Sequence, residues 1–152
     1  MPLRDKLNTS LKDALKSKEK VSVATIRLIL AALKDKDIAA RSKGNVDGIS
    51  NDEILAMLQT MIKQRNESTK MYREGGREEL AAQEQEEIVV IKCFMPEQIE
   101  GKELESVVVQ LIEKHDAQSI RDMGKLMGAL KSDYAGRVDM GKAGGLIKQK
   151  LA

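Results

Sequence analysis

Val21 to Leu33 reads VSVATIRLILAAL, an apolar run broken by a single charge, Arg27. A segment apolar nearly all round suits a helix in the middle of a bundle, and this one is expected to be the most buried element of the chain. Its neighbours scan at the same helical period. On the N-terminal side, Leu3, Leu7, Leu11 and Leu15 make one amphipathic stripe. On the C-terminal side, SKGNVDGI, residues 42 to 49, reads as a loop, and Ser50 followed by Glu53 makes a capping box that starts a third helix. Ile54, Leu58, Met61 and Tyr72 run along one face of that helix, which Gly75-Gly76 ends. A fourth helix, from about Arg77 to Met95, carries Leu80, Ile88 and Ile91 and closes at Met95-Pro96, because a residue before proline is pushed out of the α region. Beyond Pro96 and Gly101 lie a fifth helix with Leu104, Val107, Val108, Leu111 and Ile112, a sixth with Met123, Leu126, Met127 and Leu130, and a short seventh with Ile147 and Leu151.

No segment alternates with period two, so the expected class is all-α. An N-terminal domain of about four helices, residues 1 to 95, precedes a three-helix C-terminal domain, residues 96 to 152. Composition agrees: of 152 residues 41% are hydrophobic but only 2% aromatic, leaving Leu, Ile, Val, Met and Ala to fill the core, which favours helix over sheet. One cysteine forms no internal disulfide, no apolar run approaches the ~18 residues of a membrane span, and the N-terminus lacks the layout of a signal peptide. The expected setting is cytoplasmic, with no membrane as partner. A single His and a single Cys exclude a Cys/His zinc site and a ferritin-like di-iron pair. No metal, cofactor or catalytic residue is therefore assigned.

Charge is nearly balanced, at a formal +2, but it is unevenly placed. Residues 96 to 116 hold six acidic and two basic side chains, a net −4; residues 117 to 152 hold seven basic and three acidic, a net +4. Within this basic end the sixth helix is the most informative segment. On a helical wheel, Met123, Leu126, Met127, Leu130 and Tyr134 share one arc, while Gly124, Lys125, Gly128, Lys131 and Ser132 share another. Glycine inside a helix costs roughly 1 kcal/mol relative to alanine, so something should offset it. Two readings follow. Either the glycines let helices five and seven pack tightly, or they let a phosphodiester backbone approach between Lys125 and Lys131. Arg137 and Lys142 follow near the start of the last helix, which Asp139 is placed to cap, and there they could meet a phosphate beside the exposed N–H groups.

In the N-terminal half charged residues occupy apolar faces: Arg27 in the second helix, Arg65 in the third, Glu84 and Glu87 in the fourth. Glutamates at i and i+3 could ligate a cation or serve as acid and base. Two arginines placed to answer two glutamates favour a buried ion-pair network that sets helix register, since buried charges persist only when paired. Cys93, flanked by apolar residues with no nearby base, is expected to be a buried small hydrophobe. His115 reads as a helix-end residue.

Three separated motifs, in order along the whole chain, resemble the YqeY-like family. The first is Lys63, Arg65, Glu67, Ser68 and Tyr72; the second is Gly76, Arg77, Glu79, Leu80, Glu84, Glu87, Phe94, Met95 and Pro96. The third joins Asp122, Met123, Gly124, Lys125, Met127 and Gly128 to Gly136, Arg137, Val138 and Asp139. The resemblance implies a helical N-terminal domain and a three-helix domain similar to the tail domain of GatB, a component of the glutamine-dependent tRNA amidotransferase, which contacts tRNA. It also implies tRNA or other folded RNA, and amidotransferase subunits, as partners. Members of the family carry a label of carbon–nitrogen ligase with glutamine as amido donor. This sequence holds no phosphate loop, no Ser-Lys amidase arrangement and no Cys-His pair, so it is not expected to catalyse alone. The expected function is a non-catalytic tRNA-binding or amidotransferase-associated module, with Gly124, Lys125, Gly128, Lys131, Arg137 and Lys142 as the RNA surface. The alternative is a protein-interaction adaptor without RNA binding. Gly144-Gly145, a departure from the family pattern, is expected to fray the last helix.

Overall fold

The computed structural model describes residues 2 to 152, and among them all regular structure is helical. Seven α-helices follow one another: α1 (Leu3–Ser17), α2 (Lys20–Ser42), α3 (Asn51–Glu74), α4 (Glu78–Lys92), α5 (Gly101–Lys114), α6 (Met123–Asp133) and α7 (Met140–Leu151), with one 3-10 turn at Ile120–Asp122. The all-α class predicted by the periodicity is what forms. By contact density the chain divides at Met95/Pro96 into two units.

In the first unit, α3 packs chiefly against α4, and α2 against α1 and α4. The start of α3 is fixed as its sequence dictates. The Ser50 hydroxyl accepts from the Glu53 N–H at 3.2 Å, and the Glu53 carboxylate accepts from the Ser50 N–H at 3.3 Å. Leu7, Ile29, Ile54, Leu58 and Ile91 meet at the centre with no measurable exposure, and burying each of these side chains contributes about 1.5–3 kcal/mol. Polar groups tie the helices at the edges. Arg4 of α1 pairs with Asp37 of α2 through two contacts at 2.5 and 2.7 Å, and also donates to the Ile49 carbonyl at 2.8 Å. Asp37 in turn accepts from the Ile49 N–H at 2.9 Å. The loop passes this close because Gly48 has a φ of +88°, and a Cβ there would sit 2.6 Å from the Arg4 guanidinium.

Two expectations are corrected. α2 is not wrapped on all sides: it buries Thr25, Ile26, Ile29 and Leu33 but leaves Val21, Leu28 and Ile38 40, 47 and 55% exposed. α3 buries more side chains than α2, with Ile54, Met57, Leu58, Met61 and Thr69. Cys93 is exposed, its thiol donating to the Val89 carbonyl at 3.3 Å. It falls in the tightened turn that ends α4, where Cys93, Phe94 and Met95 bond back three residues to Val90, Ile91 and Lys92, and the buried ring there is that of Phe94.

The second unit has its own core, built from Leu104, Val108 and Leu111 of α5, Leu126 and Leu130 of α6, and Ala143 and Ile147 of α7. Met123, Met127 and Tyr134 pack against it from the apolar arc of α6. The segment before α5 is strapped down: the Ile99 N–H donates to the Arg137 carbonyl at 2.7 Å and the Gln98 amide to the Gly136 carbonyl at 2.7 Å.

Candidate nucleic-acid interface

The two inward residues Leu126 and Leu130 fix the orientation of α6, leaving Gly124, Lys125, Gly128, Lys131 and Ser132 on its outer face. An added Cβ at Gly124 or Gly128 would meet nothing within 4 Å. That overturns the packing explanation of these glycines, for neither α5 nor α7 approaches them. The helix therefore presents bare backbone between two lysines, and no internal contact offsets the roughly 1 kcal/mol that an interior helical glycine costs.

The beginning of α6 is held from outside the helix. Ser119 accepts from the Arg121 N–H at 3.3 Å, and the Asp122 carboxylate accepts from the Gln118 and Ser119 N–H groups at 2.9 and 3.4 Å. Those two backbone bonds hold the Asp122 carboxyl below its ordinary range, with the nearby Lys125 charge acting in the same direction.

The glycine that does permit close packing is Gly144 of α7. It is buried, and a Cβ there would lie 3.3 Å from the Met123 methyl and 3.7 Å from that of Met127. The expected fraying at Gly144-Gly145 is thus corrected: α7 runs unbroken to Leu151, because Ala143, Gly144 and Ile147 seat it on the core. The signal in the sequence was the spacing of Gly144 with Ala143 and Ile147, which marks the inward face.

Arg137 and Lys142 are placed elsewhere. Arg137 spends its Nε on the Glu97 carbonyl at 3.0 Å, clamping the strap before α5. Lys142 follows the cap in which Asp139 accepts from its N–H at 3.1 Å. With Gly101, Leu104, Glu105, Gly145, Leu146 and Gln149 it lines a shallow groove of about 500 Å³ between α5 and α7, to which α6 contributes nothing. The six residues predicted to form one surface therefore separate into an α6 face of Gly124, Lys125, Gly128 and Lys131, a clamp at Arg137 and a groove at Lys142.

The predicted ion-pair network also divides. Arg65 donates from Nε to Glu87 at 3.2 Å and from its terminal nitrogen to the Met61 carbonyl at 3.2 Å, and both side chains are largely covered. Glu84 lies beside this pair: burial pushes its carboxyl up, the Glu87 charge pushes it further, and Arg65 opposes. Arg27 does not take part. It is exposed and makes no ion pair among the described residues, since it stands about 160° around α2 from the buried Ile29. His115 caps the end of α5, and its buried Nε2 meets no hydrogen-bond partner among the described residues.

Comparison with known proteins gives a family model, described as Yqey-like protein, that matches residues 4–151. Similar curated proteins carry the name Altered inheritance of mitochondria protein 41, mitochondrial. That of Candida glabrata is 31% identical over 91 residues, covering 60% of this chain and 48% of the relative. That of Eremothecium gossypii is 34% identical over 89 residues, 59% of this chain and 46% of the relative. That of Vanderwaltozyma polyspora is 27% identical over 124 residues, 77% and 64% respectively. The chain spans about half the length of the first two. Among the described residues no helix is long and apolar enough to cross a membrane.

Proposed function

Because the chain belongs to the YqeY-like family, we propose that its C-terminal unit is a non-catalytic module that binds tRNA or another folded RNA, in association with tRNA amidotransferase chemistry carried out by other proteins. The observation that supports this most is the outer face of α6, where Gly124 and Gly128 leave open space between exposed Lys125 and Lys131. A sugar-phosphate backbone can lie close against a helix without side chains, and two flanking ammonium groups answer its charge. The chain has only two tyrosines and one phenylalanine to stack on splayed bases, so recognition proceeds by shape and phosphate contacts. The proposal assigns the chain no bond-making step of its own, and the ligase label belongs to the assembly. The compartment we propose for it is the cytoplasm, whereas the yeast relatives are mitochondrial by name.

The test is a titration of total tRNA into the pure protein at several salt concentrations. Binding should weaken with salt along a slope of about two to four phosphate contacts. Lys125→Ala with Lys131→Ala should lower affinity and reduce that slope by about two, with helix content unchanged. Unchanged affinity in the double variant removes α6 from the account. Absence of binding at low salt favours instead an adaptor that contacts protein alone.

A further inference from the structure

The exposed side of α2 repeats every seven residues. Taking Val21 as position a of a heptad, Val21, Leu28 and Asp35 occupy a while Ala24, Ala31 and Ile38 occupy d, and every one of these except Asp35 is apolar. This is the seam pattern of a two-helix coiled coil, yet the protein's own core does not use it. The side chains that α2 buries, Thr25, Ile26, Ile29 and Leu33, fall at positions e, f and b. The seam faces solvent, with Leu28 and Ile38 about half exposed and Ala24 and Ala31 exposed between them. From Val21 to Ile38 it extends about 26 Å.

One flank of the seam closes on the protein itself, through Thr25 and the half-buried Ala32 at position e. The other flank is open and uniformly basic: Lys20, Arg27, Lys34 and Arg41 recur at seven-residue intervals along position g. All four are exposed, and none makes an ion pair among the described residues. In a coiled coil, residues at g meet the partner's e or g side chains and set its identity by charge. Cations recurring along that row without a salt bridge, of which Arg41 has the Asp37 carboxylate nearby, call for carboxylates opposite. The same face of a second copy cannot supply them. An antiparallel copy would bring Lys20, Arg27, Lys34 and Arg41 against themselves, and a parallel copy would offer position e, where Thr25, Ala32 and Ala39 carry no charge.

We propose that the outer face of α2 is a docking seam for one amphipathic helix of a partner protein, whose flanks carry Glu or Asp in heptad register with Lys20, Arg27, Lys34 and Arg41. Ala24 and Ala31 let the partner backbone come close, and Asp35 at position a fixes the register by requiring a polar or basic residue opposite it. An anionic membrane is a poorer occupant, because Asp35 sits in the apolar face and no aromatic residue anchors it. RNA would leave Val21, Leu28 and Ile38 unused.

The full-length chain can be tested with two labelled three-heptad synthetic helices that carry Leu at a and d, and either Glu or Lys at both e and g. Fluorescence anisotropy should show binding of the Glu peptide, weakened by salt, and none of the Lys peptide. Arg27→Glu with Lys34→Glu should invert that preference. Leu28→Gln with Ile38→Gln should weaken the Glu peptide about tenfold or more, with far-ultraviolet circular dichroism unchanged because all four positions are exposed. Equal binding of both peptides, binding of neither, or a preference that survives charge reversal overturns the proposal. So does a basic row that binds only phosphatidylserine vesicles or tRNA, each measured with the Arg27/Lys34 variant as control.

Discussion

Thr25 places a hydroxyl in the core of the first unit where it meets no hydrogen-bond partner among the described residues. A buried polar group left unpaired costs more than the same volume of hydrocarbon, so Thr25→Val, which keeps the β-branched shape, should stabilise the fold by about 1 kcal/mol in urea unfolding. A lowered midpoint would mean that the hydroxyl is in fact satisfied. Asp37 has the opposite character. Its hydrogen bond to Arg4, and to a lesser degree its bond from the Ile49 N–H, hold its carboxyl down at about 2, against an ordinary 3.8. A carboxyl whose folded pKa is depressed binds fewer protons in the folded state. Its contribution is therefore present above about pH 4 and is lost as pH falls toward 2. The pair is about one-quarter to one-third exposed, so solvent screening reduces that contribution to about 1 kcal/mol. Asp37→Asn should lower the urea midpoint at pH 7, and the gap from the parent protein should close as pH approaches 2. A gap independent of pH would assign the loss to packing rather than charge.

At the scale of the element, α6 offers a substitution whose two effects have opposite signs. Gly128 lies in the helix interior with open space around it. Gly128→Ala should therefore stabilise the protein by up to about 1 kcal/mol, since alanine fixes the helical backbone at lower entropic cost. The added methyl should nevertheless weaken tRNA binding if a backbone must lie against that face. Gly124, second residue of the helix, should show the same binding loss with a smaller gain in stability. Stabilisation without any change in affinity would mean that the bare backbone serves no ligand. Gly144 is the opposite case: there the missing side chain is explained by the methyl groups of Met123 and Met127, and the helix gains a seat on the core in exchange.

For the whole molecule, the two hydrophobic clusters have no residue in common; one ends at Phe94 and the other begins at Ile99. We propose that each is an independent domain. Residues 1–95 expressed alone should give a helical spectrum and a single cooperative melt. Residues 96–152 should also be helical but less stable, because a chain near 60 residues buries a smaller fraction of its surface. A fragment that is helical only when mixed with the other would show that the two fold as one.

Periodicity alone was sufficient for the all-α class, because helical amphipathicity is written locally, in residues three and four apart. The same holds for the capping box at Ser50 and the Asp139 cap, each contained within four residues. Pairings across distance were not legible: Arg4 and Asp37 lie 33 residues apart, and only the packing of α1 on α2 brings them together. Nor could the sequence choose between two apolar faces of one helix. Residues 21 to 33 have a pattern suited to complete burial, with Arg27 then in need of a partner, yet the fold covers one side and leaves the other to solvent. Gly124, Gly128 and Gly144 posed the same problem, being alike as helical glycines and separable only by what stands opposite them. A residue's local pattern records that a face is apolar or small, but the surface it meets is set by how the helices come together.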